Sequence, residues 1–186
     1  MDPMCLISPL AHLLIKMVKK IKCGGPVVGI CAPHYSGKSY FINSVISKKY
    51  ALLDLEANVD LHMKPEEKEL LKNMGDENSS RNLHYFPIAK KYLDEVKKNH
   101  KGKKILVFSS NYDLLEYCGI GNILSYVPSN SLSDNIKLNL KPDEKSMFDS
   151  NRVDLMLKAG KKLISYNNFD DFNKDIINKF KLQIKL

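Results

Sequence analysis

Tryptophan is absent from this sequence of 186 residues, and arginine is almost absent: Arg81 and Arg152 are the only arginines among 29 basic residues. The scarcity bears on a net charge of +8. Lysine spread through every segment describes a solvated surface, whereas a dedicated nucleic-acid groove would be expected to carry arginine with interleaved aromatics. Polynucleotide binding therefore stays open on charge alone. Cysteine is also sparse. Cys5, Cys23, Cys31 and Cys118 form no C-x-x-C pair and no Cys/His zinc spacing, so a disulfide framework is not expected and the thiols read as free, in a reducing cytoplasmic compartment. Long apolar runs are missing beyond the first 22 residues, where a membrane span would need about 20. That first stretch resembles a leader, but Asp2 replaces the usual basic start and His12 and Lys16 interrupt it. A soluble protein with no membrane partner is expected. The abundance of Lys, Asn and Ile fits an AT-rich coding genome, such as a viral one.

What is present is alternation. Residues 1–22 read as an amphipathic helix, with Leu10, Leu13, Leu14, Met17, Val18 and Ile21 on one face, packed on the domain or lying on a membrane surface. Short apolar strands are expected at 26–31, 50–55, 103–110, 122–127 and 162–165. Helices are expected at 38–49, 65–74, 88–100, 112–118, 142–159 and 169–180. Phe41, Ile42, Val45 and Ile46 would face inward from the first of these, and Pro87 would open the third, after a polar loop that holds Arg81. Strands alternating with helices over one length of 186 residues imply a single domain, a three-layer α/β/α sandwich with a mostly parallel five-stranded sheet and right-handed crossovers. Its site would lie at the strands' carboxyl ends.

The most specific local signal is Ala32-Pro33-His34-Tyr35-Ser36-Gly37-Lys38-Ser39, followed by Tyr40. It reads as the phosphate-binding loop G-x-x-x-x-G-K-[ST], with Ala32 where glycine is usual. Each residue type has a task. Gly37 lets the backbone turn so that N–H groups face phosphates. Lys38 neutralises charge between the β- and γ-phosphates, and Ser39 offers a hydroxyl to Mg²⁺. A buried strand before the loop and a helix after it supply the setting this needs. ATP and Mg²⁺ are the expected cofactors, held by residues 32–40. His34 reads as an exposed loop residue.

The order of elements after the loop is similar to that of small P-loop kinases, the nucleoside monophosphate kinases and the shikimate and gluconate kinases. The resemblance covers most of the chain, although only the loop is a specific motif, and it implies the sheet order 2-3-1-4-5. In the shikimate-kinase branch an Asp-x-Asp after the second strand contacts the acceptor and the Mg²⁺ shell. Asp54 and Glu56 match it here, with Glu in the second place. Asp54 is thereby a candidate for catalysis, metal and acceptor, and Glu56 for the acceptor. Two departures stand out. The third strand ends Phe108-Ser109-Ser110-Asn111, with no acid before Asp113, leaving Ser109 and Ser110 to bind a phosphate or a metal-bound water. The expected lid, residues 129–150, holds Lys137, Lys141 and Lys145 but no arginine, which suggests a reduced lid. Arg152 is the candidate for transition-state stabilisation and Arg81 for the acceptor's phosphate.

The first expectation is therefore a kinase moving the γ-phosphoryl group of ATP to a small acceptor such as a nucleoside monophosphate. A catalytically inactive nucleotide-binding or structural subunit, for instance of a viral particle, is the second. An NTPase acting on nucleic acid is the third. The oligomeric state is not legible.

Overall fold

The computed structural model describes residues 27–74 and 78–185. The expected N-terminal helix, with Cys5 and Cys23, lies outside them. Five parallel strands form the central sheet: β1 (Val27–Cys31), β3 (Tyr50–Asp54), β4 (Lys104–Ser109), β5 (Ile123–Pro128) and β6 (Leu163–Tyr166). Their order across the sheet is β3-β4-β1-β5-β6, which is 2-3-1-4-5 when the five are counted along the chain. β1 is thus central, and β3 and β4 lie to one side of it.

Side chains of the central strands alternate between two cores, as both faces of a covered sheet require. Ile105 and Val107 of β4 join Cys31, Leu53, Leu115 and Val127 on one side, where α2 (Leu55–His62), α4 (Asn78–Asn99) and α5 (Tyr112–Tyr117) pack. Leu106 and Phe108 join Ile30, Phe41, Tyr126 and Phe172 on the other, beneath α1 (Lys38–Ser44) and α8 (Phe169–Phe180). Gly29 of β1 lies where the packing leaves little room for a side chain. A Cβ there would lie 3.2 Å from the side chains of Leu115, Ile120 and Ile123. The remaining helices are α3 (Pro65–Asn73), α6 (Asn130–Leu138) and α7 (Pro142–Ala159), with a short 3₁₀ turn at Gly160–Lys162 before β6.

Three local expectations are corrected. The helix expected over 38–49 ends at Ser44. Val45 and Ile46 leave it as a strand, β2, that pairs antiparallel with β7 (Gln183–Ile184), so Ile46 faces solvent instead of the core. Second, residues 78–86 before Pro87 are helical, and Pro87 sits inside α4. Proline removes one hydrogen bond to the carbonyl four residues back, a change of about 3 kcal/mol in a helix interior. Here Pro87 and Leu83 are both exposed, so water reaches the freed carbonyl, while Ala89 and Leu93 one turn on are fully buried and hold the helix. Third, residues 55–62 form the unanticipated α2, started by Asp54, whose Oδ1 accepts the Ala57 N–H at 3.3 Å. The segment 129–150 folds as α6 and the first half of α7, joined by Asn139, Leu140 and Lys141. Among the described residues, no helix is long and apolar enough to cross a membrane.

Phe172 knits the second core together, with ring centroids 5.1 Å from Tyr166, 5.2 Å from Tyr126 and 6.0 Å from Phe41. Replacing it by alanine leaves a cavity that these rings cannot close. Phe172→Ala is expected to lower stability by about 3–5 kcal/mol. Urea unfolding should show the midpoint falling at an unchanged m-value.

Candidate functional site

β1 ends at Cys31, and the eight residues after it turn over the carboxyl edge of the sheet into α1. Ala32 is fully buried in the second core, and its N–H donates to the Ser109 carbonyl at 3.0 Å, fastening the loop's start to the end of β4. A small residue fits there, and alanine meets the requirement. Tyr35 and Gly37 both adopt left-handed backbone, with φ of 60° and 81°. Such alternation builds the concave nest in which N–H groups converge on an anion. Gly37 is required by its φ, which disfavours a side chain; an added Cβ would meet the Phe169 ring at 3.4 Å, an ordinary contact. Phe169, at the start of α8, is a neighbour of the loop that the sequence pattern does not reveal.

Lys38 is buried despite its charge. Its Nζ donates to the carbonyls of Ala32 at 2.8 Å and Pro33 at 2.7 Å, so the ammonium is wrapped by its own loop. Burial pushes its pKa below the ordinary lysine value, and Glu56, Cys31 and Asp54 act against that shift. Ser39 lies on the outer side of the same helical turn, where its Oγ donates to Asp54 Oδ2 at 2.7 Å. The hydroxyl of the loop and the carboxylate at the end of β3 therefore meet across β4. Tyr40 is exposed.

Glu56 answers the question raised by the acid-free end of β4. Its carboxylate accepts the Ser110 N–H at 2.9 Å, the Ser110 hydroxyl at 2.7 Å and the Ser109 hydroxyl at 3.1 Å. The carboxylate above β4 is thus carried by α2 and held by two serines of β4. In this arrangement the two hydroxyls face Glu56. Asp113, the first acid in sequence after β4, instead pairs with Lys158 of α7.

His34 is not an exposed loop residue. It is half-buried, with Nε2 2.8 Å from Ser110 Oγ. Its neighbours had been legible in the sequence, but their meeting was not, because 76 positions separate His34 from Ser110. Arg152 lies farther along the edge. Its Nε donates to the Pro128 carbonyl at 3.3 Å and its Nη2 to Asn130 Oδ1 at 2.6 Å, tying the end of β5 to α6. Arg81 belongs to α4, and its side chain lies outside the described residues.

The residues suit the groups that the loop implies. A nest of left-handed residues with a lysine inside it suits a polyphosphate. A serine hydroxyl beside a carboxylate suits Mg²⁺, which takes one or two protein oxygens and fills the rest of its octahedron with phosphate and water. Cys31 and Cys118 are free and buried, and burial pushes the Cys118 thiol up to about 11 and raises Cys31 as well. Neither is a thiolate at neutral pH.

No family model matches the sequence, and no curated protein matches it. Solved structures do. A sugar kinase from Janibacter sp. HTCC2649 aligns over 84% of this chain and 94% of its own, with a TM-score of 0.50 and 7% identity. The tunicamycin resistance protein of Deinococcus radiodurans aligns over 87% of this chain and 99% of its own, at a TM-score of 0.47 and 12% identity. Thymidylate kinase from Candida albicans covers 88% and 99%, at 0.47 and 9%. The likeness to the sugar kinase is one of fold, and it agrees with the strand order and the loop after β1 seen in this chain. On those grounds the chain has the fold of the small P-loop kinases.

Proposed function

We propose that this protein is an ATP-dependent phosphotransferase, moving the γ-phosphoryl group to a small acceptor, a nucleoside monophosphate or a molecule of similar size. The observation that carries the reading is the meeting of Ser39 Oγ with Asp54 Oδ2 at 2.7 Å beside the buried ammonium of Lys38. A strand-to-helix turn without a phosphate to bind has no need to bury a lysine, since removing a charge from water is costly.

In this reading the loop from Ala32 to Tyr40 binds the polyphosphate. Lys38 exchanges its loop carbonyls for phosphate oxygens and neutralises charge that shifts toward the leaving group. Ser39 and Asp54 hold Mg²⁺, which supplies electrostatic neutralisation of the phosphates. Asp54 would offer its carboxylate to the metal, while its Oδ1 accepts the Ala57 N–H and keeps α2 in place. Glu56, Ser109 and Ser110 form the wall toward the acceptor, and Arg81 of α4 is the residue assigned to the acceptor's phosphate. For Arg152, transition-state stabilisation requires release from Pro128 and Asn130. The alternative of a nucleotide-binding or structural subunit, viral or otherwise, corresponds to binding without turnover. A nucleic-acid-linked NTPase corresponds to hydrolysis stimulated by polynucleotide, with steep salt dependence.

Two substitutions test the reading. Lys38→Ala removes a charged donor to phosphate, worth about 1.5–3 kcal/mol. Titration calorimetry should show ATP affinity reduced by about tenfold or more, and a coupled ADP-release assay should show transfer lost. Unchanged ATP affinity would remove the loop from the binding site.

Asp54→Asn keeps an oxygen for the Ala57 N–H but removes the charge that would face Mg²⁺. Its thermal stability is expected to stay close to that of the parent, while the Mg²⁺ concentration for half-maximal ATP binding rises. Asp54→Ala should also lose about 1 kcal/mol of stability with the helix cap. Equal Mg²⁺ requirements in all three proteins would place the metal elsewhere.

A further inference from the structure

The carboxylates at the site are already engaged. Asp54 accepts from Ser39 through one oxygen and from Ala57 through the other. Glu56 accepts from Ser109 and twice from Ser110. His34 differs: its Nε2 is 2.8 Å from Ser110 Oγ, and its Nδ1 has no hydrogen-bond partner among the described residues.

The protons along this chain can be assigned. The Ser110 hydroxyl has one proton and two polar neighbours, Glu56 Oε1 at 2.7 Å and His34 Nε2 at 2.8 Å. A carboxylate is the stronger acceptor, so the proton is directed to Glu56. Ser110 Oγ must then accept from its other neighbour, which makes Nε2 of His34 the N–H nitrogen. In the neutral ring Nδ1 is consequently the bare, basic nitrogen. Glu56, Ser110 and His34 form a relay that fixes both the tautomer and the orientation of the ring, in the crevice at the carboxyl ends of β1 and β4.

We propose that His34 is the base of the transfer reaction, its Nδ1 taking the proton of an acceptor hydroxyl, and that the acceptor is accordingly an alcohol. The inference rests on the kinase reading above and narrows its substrate. A phosphate monoester loses its second proton near pH 6 and attacks without assistance, whereas an alcohol must lose its proton as it reacts. In the step, the acceptor oxygen bonds to the γ-phosphorus of ATP and the bond from that phosphorus to the β,γ-bridging oxygen breaks. The electron pair leaves with ADP, and the hydroxyl proton passes to Nδ1.

The groups facing the ring are Glu56 from α2, Lys38 from α1, Asp54 at the end of β3, Ser110 beyond β4 and Tyr35 in the loop, whose ring centroid is 6.2 Å away. Burial lowers the imidazole below its ordinary value, Lys38 lowers it further, and Glu56 and Asp54 oppose them. A lowered value leaves the ring neutral at pH 7 and able to accept. Activity should therefore persist below pH 6.5 and fall only as the ring becomes protonated.

The test has two arms. In the first, ¹⁵N NMR of the full protein is expected to show His34 protonated at Nε2 and bare at Nδ1, titrating below pH 6.5, with the preference for this tautomer lost in Ser110→Ala. An Nδ1–H tautomer, or titration above pH 6.5, overturns the proposal whether or not turnover is seen.

In the second arm, transfer from Mg·ATP is measured to a panel of sugars and hydroxy acids and to a panel of nucleoside monophosphates. His34→Gln keeps a donor for Ser110 but cannot take a proton, and circular dichroism checks that it is folded. The expected result is transfer to an alcohol, with kcat falling about 10²-fold or more in the variant and the acidic limb of the pH profile disappearing. Transfer that His34→Gln leaves unchanged, or that goes to monophosphates alone, overturns this inference and spares the kinase reading. Transfer to neither panel overturns both.

Discussion

A lysine ammonium almost wholly removed from water is the constraint around which the carboxyl edge of this sheet is arranged. Lys38 keeps its charge there because two loop carbonyls accept from it and two carboxylates, Glu56 and Asp54, stand close enough to favour the charged form against burial. Each of those groups needs a fixed place. The carbonyls are set by a loop whose first residue is tied to β4, and the carboxylates by the turn from β3 into α2. The strand order is what makes this possible. With β4 between β1 and β3, the loop and the two acids face one another over the ends of a single strand. Ser109 and Ser110 at that strand's end have short hydroxyls that bridge the gap from either side.

Much of this architecture was legible along the sequence, and the reason is physical. A buried parallel strand must be apolar on both faces, so VVGIC, YALLDL and KILVFSS announce themselves, and a loop that cradles phosphate needs a particular glycine and lysine. The elements that were misread are those in which distant contacts outweigh local pattern. Val45 and Ile46 carry on the apolar spacing of α1, yet they pair with a strand almost 140 positions away. Pro87 looks like a helix start because a polar stretch, residues 75–82, lies upstream of it. Its surroundings in space, Leu93 and the buried face of α4, decide otherwise.

At the site, residue types were readable and partnerships were not. The loop, Asp54 and Glu56 could each be picked out by motif or by position after a strand. That Glu56 reaches over to the end of β4, and that His34 bends back to Ser110, depends on side-chain directions set by α2 and by a left-handed tyrosine. The apparent loss of an acid from β4 was a property of the linear order. In space the charge is present, carried by α2 and anchored through the hydroxyls of Ser109 and Ser110.

The short pairing of β2 with β7 has a consequence for how the molecule is made. Lys185 donates its backbone N–H to Ser44 and its ammonium to Asn43, so the last turn of α1 is sealed by residues far along the chain. Contacts of such sequence separation form late and slow the approach to the native state. During synthesis, the helix that leaves the phosphate loop gains its final fastening only after the segment around residue 185 has cleared the ribosome. Until then, the end of α1 lacks the clamp that closes it in the finished protein.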